Sequence, residues 1–161
     1  MPTASRIDDE FELTKERQEI LATADRFARK ELAPLFARMD DEDWWPEDAM
    51  RKIGGAGLIG VSVDASYGGA GMDFFCQGLV IQAIARHNPS IGMSYAAHEN
   101  LFVNNLHRNG TPTQKEKYLP KCVRGEMIGA LGMTEPGAGS DAIGSMSTVA
   151  RREGDYYILD G

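Results

Sequence analysis

Apolar positions recur at helical spacing through the first three quarters of the chain, and the pattern then changes. Leu13, Ile20, Leu21, Ala24, Phe27, Ala28, Leu32, Leu35, Phe36 and Met39 recur at helical intervals with charged residues between them. That spacing predicts a long amphipathic helix. Thr14 suits its cap and Glu16 its first turn, while Pro34 should kink it or end its regular part. Pro46, followed by Glu47 and Asp48, fits the start of a second helix, which the glycines at 54, 55 and 57 end. Leu58 to Val63 reads as a short extended run leading into the glycines of 68 to 71. Asp73 then caps a helix through about Arg86, with Phe74, Leu79, Val80 and Ile84 facing inward. Another runs from about Ser90 to Asn109, where Gly110 is placed for a C-terminal cap, and Thr113 to Val123 gives a last short helix.

At Gly125 the period changes. Met127 to Met133, Ser147 to Arg151 and Tyr156 to Leu159 read as strands joined by turns, with no further helix. A helical domain, 1–124, is therefore expected before the start of a β domain, 125–161. About three strands can neither close a barrel nor cover both their faces. Asp160-Gly161 looks like a hairpin turn, so the chain reads as a fragment.

Composition narrows the classes of function. A chain of 161 residues with 42% hydrophobic and 25% charged residues suits a globular protein with one core and part of another. Its net charge of −7 offers no basic stripe for nucleic-acid phosphates. No apolar run reaches membrane-spanning length, so no membrane insertion is expected. The polar, acidic stretch from Met1 to Glu10 reads as neither a signal nor a transit peptide. Cys76 and Cys122 lack metal or redox spacing, which suggests a reducing cytoplasm. Three scattered histidines with two scattered cysteines make no metal site.

The segment richest in chemistry is Leu131-Gly-Met-Thr-Glu-Pro-Gly-Ala-Gly-Ser140-Asp141. Gly137 and Gly139 can adopt backbone angles closed to other residues, so several amide N–H groups can converge as a pyrophosphate requires. Thr134 and Ser140 would add hydroxyl donors on either side. A plain Pro-Gly turn between two strands, closed by Asp141, is the alternative. Elsewhere, Glu99 beside His98 suggests an acid–base pair, but neighbouring helix positions point about 100° apart. Glu99 is expected to be solvated or ion-paired, and His98 packed or capping. His87 and His107 fall near helix ends, where a cationic ring is favoured. Trp44-Trp45 reads as a packing anchor before Pro46. Met93, Ser94, Ala97 and Leu101 share one helix face, which is either core or a pocket wall.

Met133-Thr-Glu-Pro-Gly-Ala-Gly-Ser-Asp141 behind an apolar run resembles the flavin-binding signature of the acyl-CoA dehydrogenases. Trp44-Trp-Pro46 with Met50 to Gly60, and Tyr67-Gly-Gly-Ala-Gly-Met-Asp73, are similar to that family's second helix and the connection after it. Tyr95 to Leu101 and Arg108 to Pro120 resemble the isovaleryl-CoA dehydrogenase branch, and Gly154 to Gly161 matches the strand pair that follows. The resemblance runs in one order from about Phe11 to the last residue.

The resemblance implies a mainly α fold, an orthogonal, up-down helical N-terminal domain followed by the first strands of a truncated β-barrel domain. It implies α,β-dehydrogenation of a short branched acyl-CoA such as isovaleryl-CoA, with FAD as hydride acceptor. Leu131, Gly132, Met133, Thr134, Glu135, Pro136, Gly137, Ala138, Gly139 and Ser140 would line the flavin and its pyrophosphate. Thr134 would hydrogen-bond the pyrimidine edge, Glu135 would position backbone, and Ser140 would contact both FAD and acyl-CoA. Met93, Ser94, Ala97 and Leu101 would face the acyl chain. The resemblance further implies a base glutamate beyond residue 161, electron-transferring flavoprotein as electron acceptor, and a homotetramer. An acyl-CoA oxidase or nitroalkane oxidase type of relative, or a non-catalytic helical interaction module, are the alternatives.

Overall fold

The structure is a computed structural model that describes residues 12–161. The acidic stretch before Phe11, and Phe11 itself, lie outside the described residues. The chain divides into two compact units, Met1–Ala130 and Leu131–Gly161.

The first unit is helical. Helix α1, Lys15–Phe27, starts where the Thr14 hydroxyl accepts from the Arg17 amide at 3.3 Å. A wide π-helical turn, Ala28–Leu32, and a 3-10 turn, Ala33–Leu35, carry it into α2, Phe36–Glu42. Pro34 has no N–H and so interrupts the regular ladder there, as expected. Ala24, Ala28, Leu32 and Met39 of the predicted stripe are buried, whereas Leu13 and Phe36 are exposed. Helix α3, Ala49–Gly55, begins three residues later than the Pro46 signal, with Pro46 in the turn before it. Leu58 to Val63 is a chain of turns rather than an extended run, and Leu58, Ile59, Val61 and Val63 are all buried.

Helix α4, Phe74–His87, packs along α1 and against α5, Pro89–Ala96. Asp73 caps α4 by accepting from the Cys76 amide at 2.7 Å. Leu79, Val80 and Ile84 face the core, but Phe74 is 45% exposed, with the Arg108 guanidinium 4.8 Å from its ring centroid. Asn88 caps α5 through the Ile91 amide and donates to the Leu32 carbonyl at 3.1 Å, which ties α5 to the π-helical turn after α1. The predicted fourth helix is continuous but not uniform. A π-helical stretch, Ala97–Asn104, separates α5 from α6, Asn105–Asn109. Gly110 is extended rather than left-handed, because the chain runs straight into the Thr111 capping box of α7, Pro112–Val123.

The second unit is small. A one-turn helix α8, Ala142–Ser145, precedes strands β1, Val149–Glu153, and β2, Tyr156–Asp160, so the expectation of no further helix is corrected. The strands pair antiparallel, from Val149 opposite Asp160 to Glu153 opposite Tyr156. Both are exposed along their whole length. Met127 to Met133 is not a strand: among the described residues no partner offers it a ladder. No helix among the described residues is long and apolar enough to cross a membrane.

Candidate functional site

The glycine-rich loop of the second unit is built around one carboxylate. Glu135 and Ala138 exchange backbone hydrogen bonds, each 3.0 Å, which closes Glu135-Pro-Gly-Ala138 into a tight turn. Pro136 supplies a fixed φ for such a turn and Gly137 a small third position. The Glu135 side chain reaches twelve residues ahead. Oε2 accepts from the Ser147 amide at 2.9 Å and its hydroxyl at 2.8 Å, and Oε1 accepts from the Thr148 amide at 2.9 Å and the Thr148 hydroxyl. Four donors stabilise the charged form, the Thr148 hydroxyl most strongly, and hold this carboxyl down to about 2. Such a group is a permanently ionised anchor at neutral pH and unsuited to proton abstraction. It joins the loop to the residues that open β1.

The anchored turn leaves donors facing water. Among the described residues, the amides of Gly137, Gly139 and Ser140 and the hydroxyls of Thr134 and Ser140 have no protein partner. All five groups belong to exposed residues. Gly137 and Gly139 do not have positive φ, which corrects the expectation of unusual backbone angles there. A Cβ at either would meet nothing within 4 Å, so what these glycines offer is access to the backbone amides. Three exposed amides and two hydroxyls are donors of the type a phosphate accepts from, so the residues present fit the phosphates of a dinucleotide in chemistry. Leu131 and Met133 are exposed apolar side chains beside it, and Gly132 is exposed as well.

In the first unit, the helix face of Met93, Ser94, Ala97 and Leu101 is not core. Met93 is 74% and Leu101 44% exposed, and Ser94 and Ala97 are half-buried. Ser94 alone of the four lines a cleft of about 340 Å³, with Trp45, Met50 and Ile128 among its apolar walls. The floor of this region is pinned by close backbone approaches. Gly125 has φ +67°, and a Cβ there would lie 2.2 Å from the Met50 carbonyl oxygen. A Cβ on Gly129 would enter the Phe102 ring.

His98 and Glu99 are the residues whose surroundings the sequence hid. Both are fully buried. The Gly129 amide donates to His98 Nδ1 at 3.0 Å, so that nitrogen carries no proton, and Nε2–H donates to the Cys122 carbonyl at 3.1 Å. Burial pushes the His98 pKa down and keeps the ring neutral. His98 is thus packed, as expected. Glu99 is neither solvated nor ion-paired, which corrects that expectation: its two oxygens accept from the amides of Gly60 at 2.8 Å and Val61 at 2.9 Å. The two side chains serve different backbone segments and form no acid–base pair. In the structure the buried positions of this stretch are His98, Glu99, Val103 and Asn104, a spacing of five that matches the π-helical hydrogen-bond period and that residue types alone did not signal. Elsewhere His87 meets Asp25 at 2.8 Å and His107 meets Asp64 at 3.1 Å. Among the described residues no cluster of three His, Cys, Asp or Glu is suited to a metal ion.

The helical unit is that of the acyl-CoA dehydrogenase class, as comparison with known proteins shows. The family profile "Acyl-CoA dehydrogenase, N-terminal domain" matches residues 14–126, and the chain belongs to the acyl-CoA dehydrogenase family. The mitochondrial isovaleryl-CoA dehydrogenase of Bos taurus is 40% identical over 151 residues, covering 92% of this chain and 35% of its own length. A structure of the electron transferring flavoprotein of Acidaminococcus fermentans superposes with a TM-score of 0.88 at 36% identity, over 94% of this chain and 40% of the other. The glutaryl-CoA dehydrogenase of Mycobacterium smegmatis in complex with FADH2 gives 0.86 at 29% identity, over 95% and 39%. The chain therefore spans between a third and two fifths of the length of these relatives.

Proposed function

We propose that this chain is the N-terminal part of a FAD-dependent acyl-CoA dehydrogenase that desaturates a short branched acyl-CoA such as isovaleryl-CoA. The observation that carries the reading is the loop Thr134–Ser140, fastened by Glu135 and presenting five unclaimed donors. FAD bound there would supply the hydride acceptor that no side chain can provide. Of this chain's residues, Leu131 to Ser140 would hold the cofactor. Thr134 would donate to the flavin's pyrimidine edge, the amides of Gly137 and Gly139 would meet its phosphates, and Glu135 would keep the turn in shape. Ser140 would donate to both FAD and acyl-CoA. The exposed face of Met93, Ser94, Ala97 and Leu101 would receive the acyl chain. The base is a glutamate beyond Gly161, electrons pass to electron-transferring flavoprotein, and the enzyme is a homotetramer. The two buried free cysteines suit a cytoplasmic enzyme.

Residues 1–124 are assigned to the helical domain and 125–161 to the start of the β domain; this division follows the change of hydrophobic period rather than packing. The test is direct. The protein that continues past Gly161 should purify yellow, and isovaleryl-CoA should reduce its flavin anaerobically. A colourless protein that takes up no added FAD overturns the reading.

A further inference from the structure

Three consecutive residues of the turn after α3 are held by side chains from one wide helical stretch. Glu99, within the π-helical stretch 97–104, accepts from the Gly60 amide at 2.8 Å and the Val61 amide at 2.9 Å. Asn104 of the same stretch donates to the Ser62 hydroxyl at 2.7 Å, and that hydroxyl donates to the Gln77 side-chain carbonyl on α4 at 2.6 Å. Glu99, Asn104 and Gln77 are all buried. The turn is closely fitted as well: Gly60 has φ +74°, and a Cβ there would lie 2.7 Å from the Val123 side chain.

Spacing is what makes this double hold possible. Residues five apart on an α-helix point about 140° apart, so Glu99 and Asn104 could not both reach adjacent residues of one turn. A π-helix bonds with a period of five, which stacks the two side chains on one face. The same wide turn shapes the opposite side of the helix. Ala97 and Leu101 each lie two residues from Glu99, roughly opposite to it, and Leu101 is 44% exposed. At α-helical period Leu101 would point about 80° away from Met93, eight residues earlier. The wide turn has less rotation per residue and draws Leu101 back into line with Met93.

We propose that Glu99 and Asn104 are positioning residues for the acyl-chain face: their joint hold on Gly60, Val61 and Ser62 keeps 97–104 in its wide turn and so sets the direction in which Leu101 points beside Met93. The use of that face for an acyl chain rests on the proposed function, whereas the hold itself does not. Without the hold, nothing offsets the poorer geometry of a π-helical stretch, and relaxation to the α-helical period swings Leu101 out of line with Met93.

Two arms test the hold and its use separately. In the 161-residue chain without ligand, methyl NMR with a soluble gadolinium chelate reads the exposure of Leu101 relative to Met93. Glu99→Ala and, separately, Asn104→Leu should change that ratio severalfold. Formate, which can enter the emptied carboxylate position, should restore it in Glu99→Ala and not in Asn104→Leu. An unchanged ratio in a folded variant overturns the proposal. So do Gly60 and Val61 amides that exchange in the parent as fast as the unbonded Gly137 amide, whether or not the variants fold. The second arm uses the protein that continues past Gly161. One methyl group separates isovaleryl-CoA from butyryl-CoA, a difference worth about tenfold or more in kcat/KM in a fitted pocket. Both variants should bring that ratio close to unity while FAD stays bound, and a ratio equal to the parent's overturns the positioning role. A parent that binds no FAD or oxidises neither acyl-CoA overturns the proposed function instead, and the acyl role with it, while the first arm still decides the hold.

Discussion

At the residue scale, the loop 134–140 divides into a residue that holds and residues that present. Glu135 uses both oxygens on Ser147 and Thr148, whereas the Ser140 hydroxyl has no partner among the described residues. Removing a hydrogen bond to a charged phosphate typically costs ~1.5–3 kcal/mol. In the complete enzyme, Ser140→Ala should therefore weaken acyl-CoA binding by roughly tenfold or more and loosen FAD as well. Equilibrium titration with both ligands measures it, and unchanged affinities would remove Ser140 from the site. Glu135 carries a pH prediction. Its pKa is depressed in the folded state, so its anchoring is complete above about 4.5 and is lost as pH falls through about 2. The Ser147 and Thr148 amide resonances should titrate together in that acid range. Movement centred near 4.5 would mean the anchor is not formed. The motif pointed to Glu135 by resemblance only, and its partners Ser147 and Thr148 come from the structure. The burial of Glu99 was not legible, because its partners are amides far away in sequence, and a helical wheel of ordinary period cannot show a π-helical turn.

At the element scale, local signals were reliable and long-range ones were not. Thr14 and Asp73 cap helices where their short polar side chains suggested, since a cap needs only neighbours three residues on; Thr111 caps α7 as well, whereas the sequence pattern started that helix at Thr113. The apolar run 127–133 misled, because strand character depends on a partner strand, and none faces it among the described residues. What fixes its first half is steric fit. Gly129 lies so close to Phe102 that any side chain must displace the ring. Gly129→Ala should cost about 1–3 kcal/mol in urea unfolding, as over-packing does. The double variant with Phe102→Leu should recover part of the loss. If Gly129→Ala is neutral, the close approach is not a constraint. His98 holds the same segment, and burial depresses its pKa. Its contribution is complete above about 6.5 and lost as pH falls through the lowered folded value.

At the scale of the whole molecule, a well-packed helical unit is joined to a β unit with almost no interior of its own. Tyr156, Tyr157 and Leu159 are each at least two-thirds exposed, and a two-stranded ribbon leaves both its edges unpaired. Edges of this kind recruit further strands. The 161-residue chain alone should accordingly self-associate as concentration rises despite its negative charge, which sedimentation measures; a strict monomer at high concentration would contradict this. It should also reduce no artificial acceptor when given FAD and isovaleryl-CoA. The helical architecture was legible because the acyl-CoA dehydrogenase pattern runs through it. Acyl-chain length was not, since Met93 and Leu101 face outward and what encloses them is not set by this stretch of sequence.

The most direct measurement is anaerobic reduction of the flavin in the protein that continues past Gly161, purified with and without Ser140→Ala. The account predicts a yellow protein whose flavin absorbance bleaches on adding isovaleryl-CoA, with the variant requiring at least tenfold more substrate for half-bleaching. A protein that holds FAD but does not bleach with any short acyl-CoA, or one that holds no FAD, would contradict it.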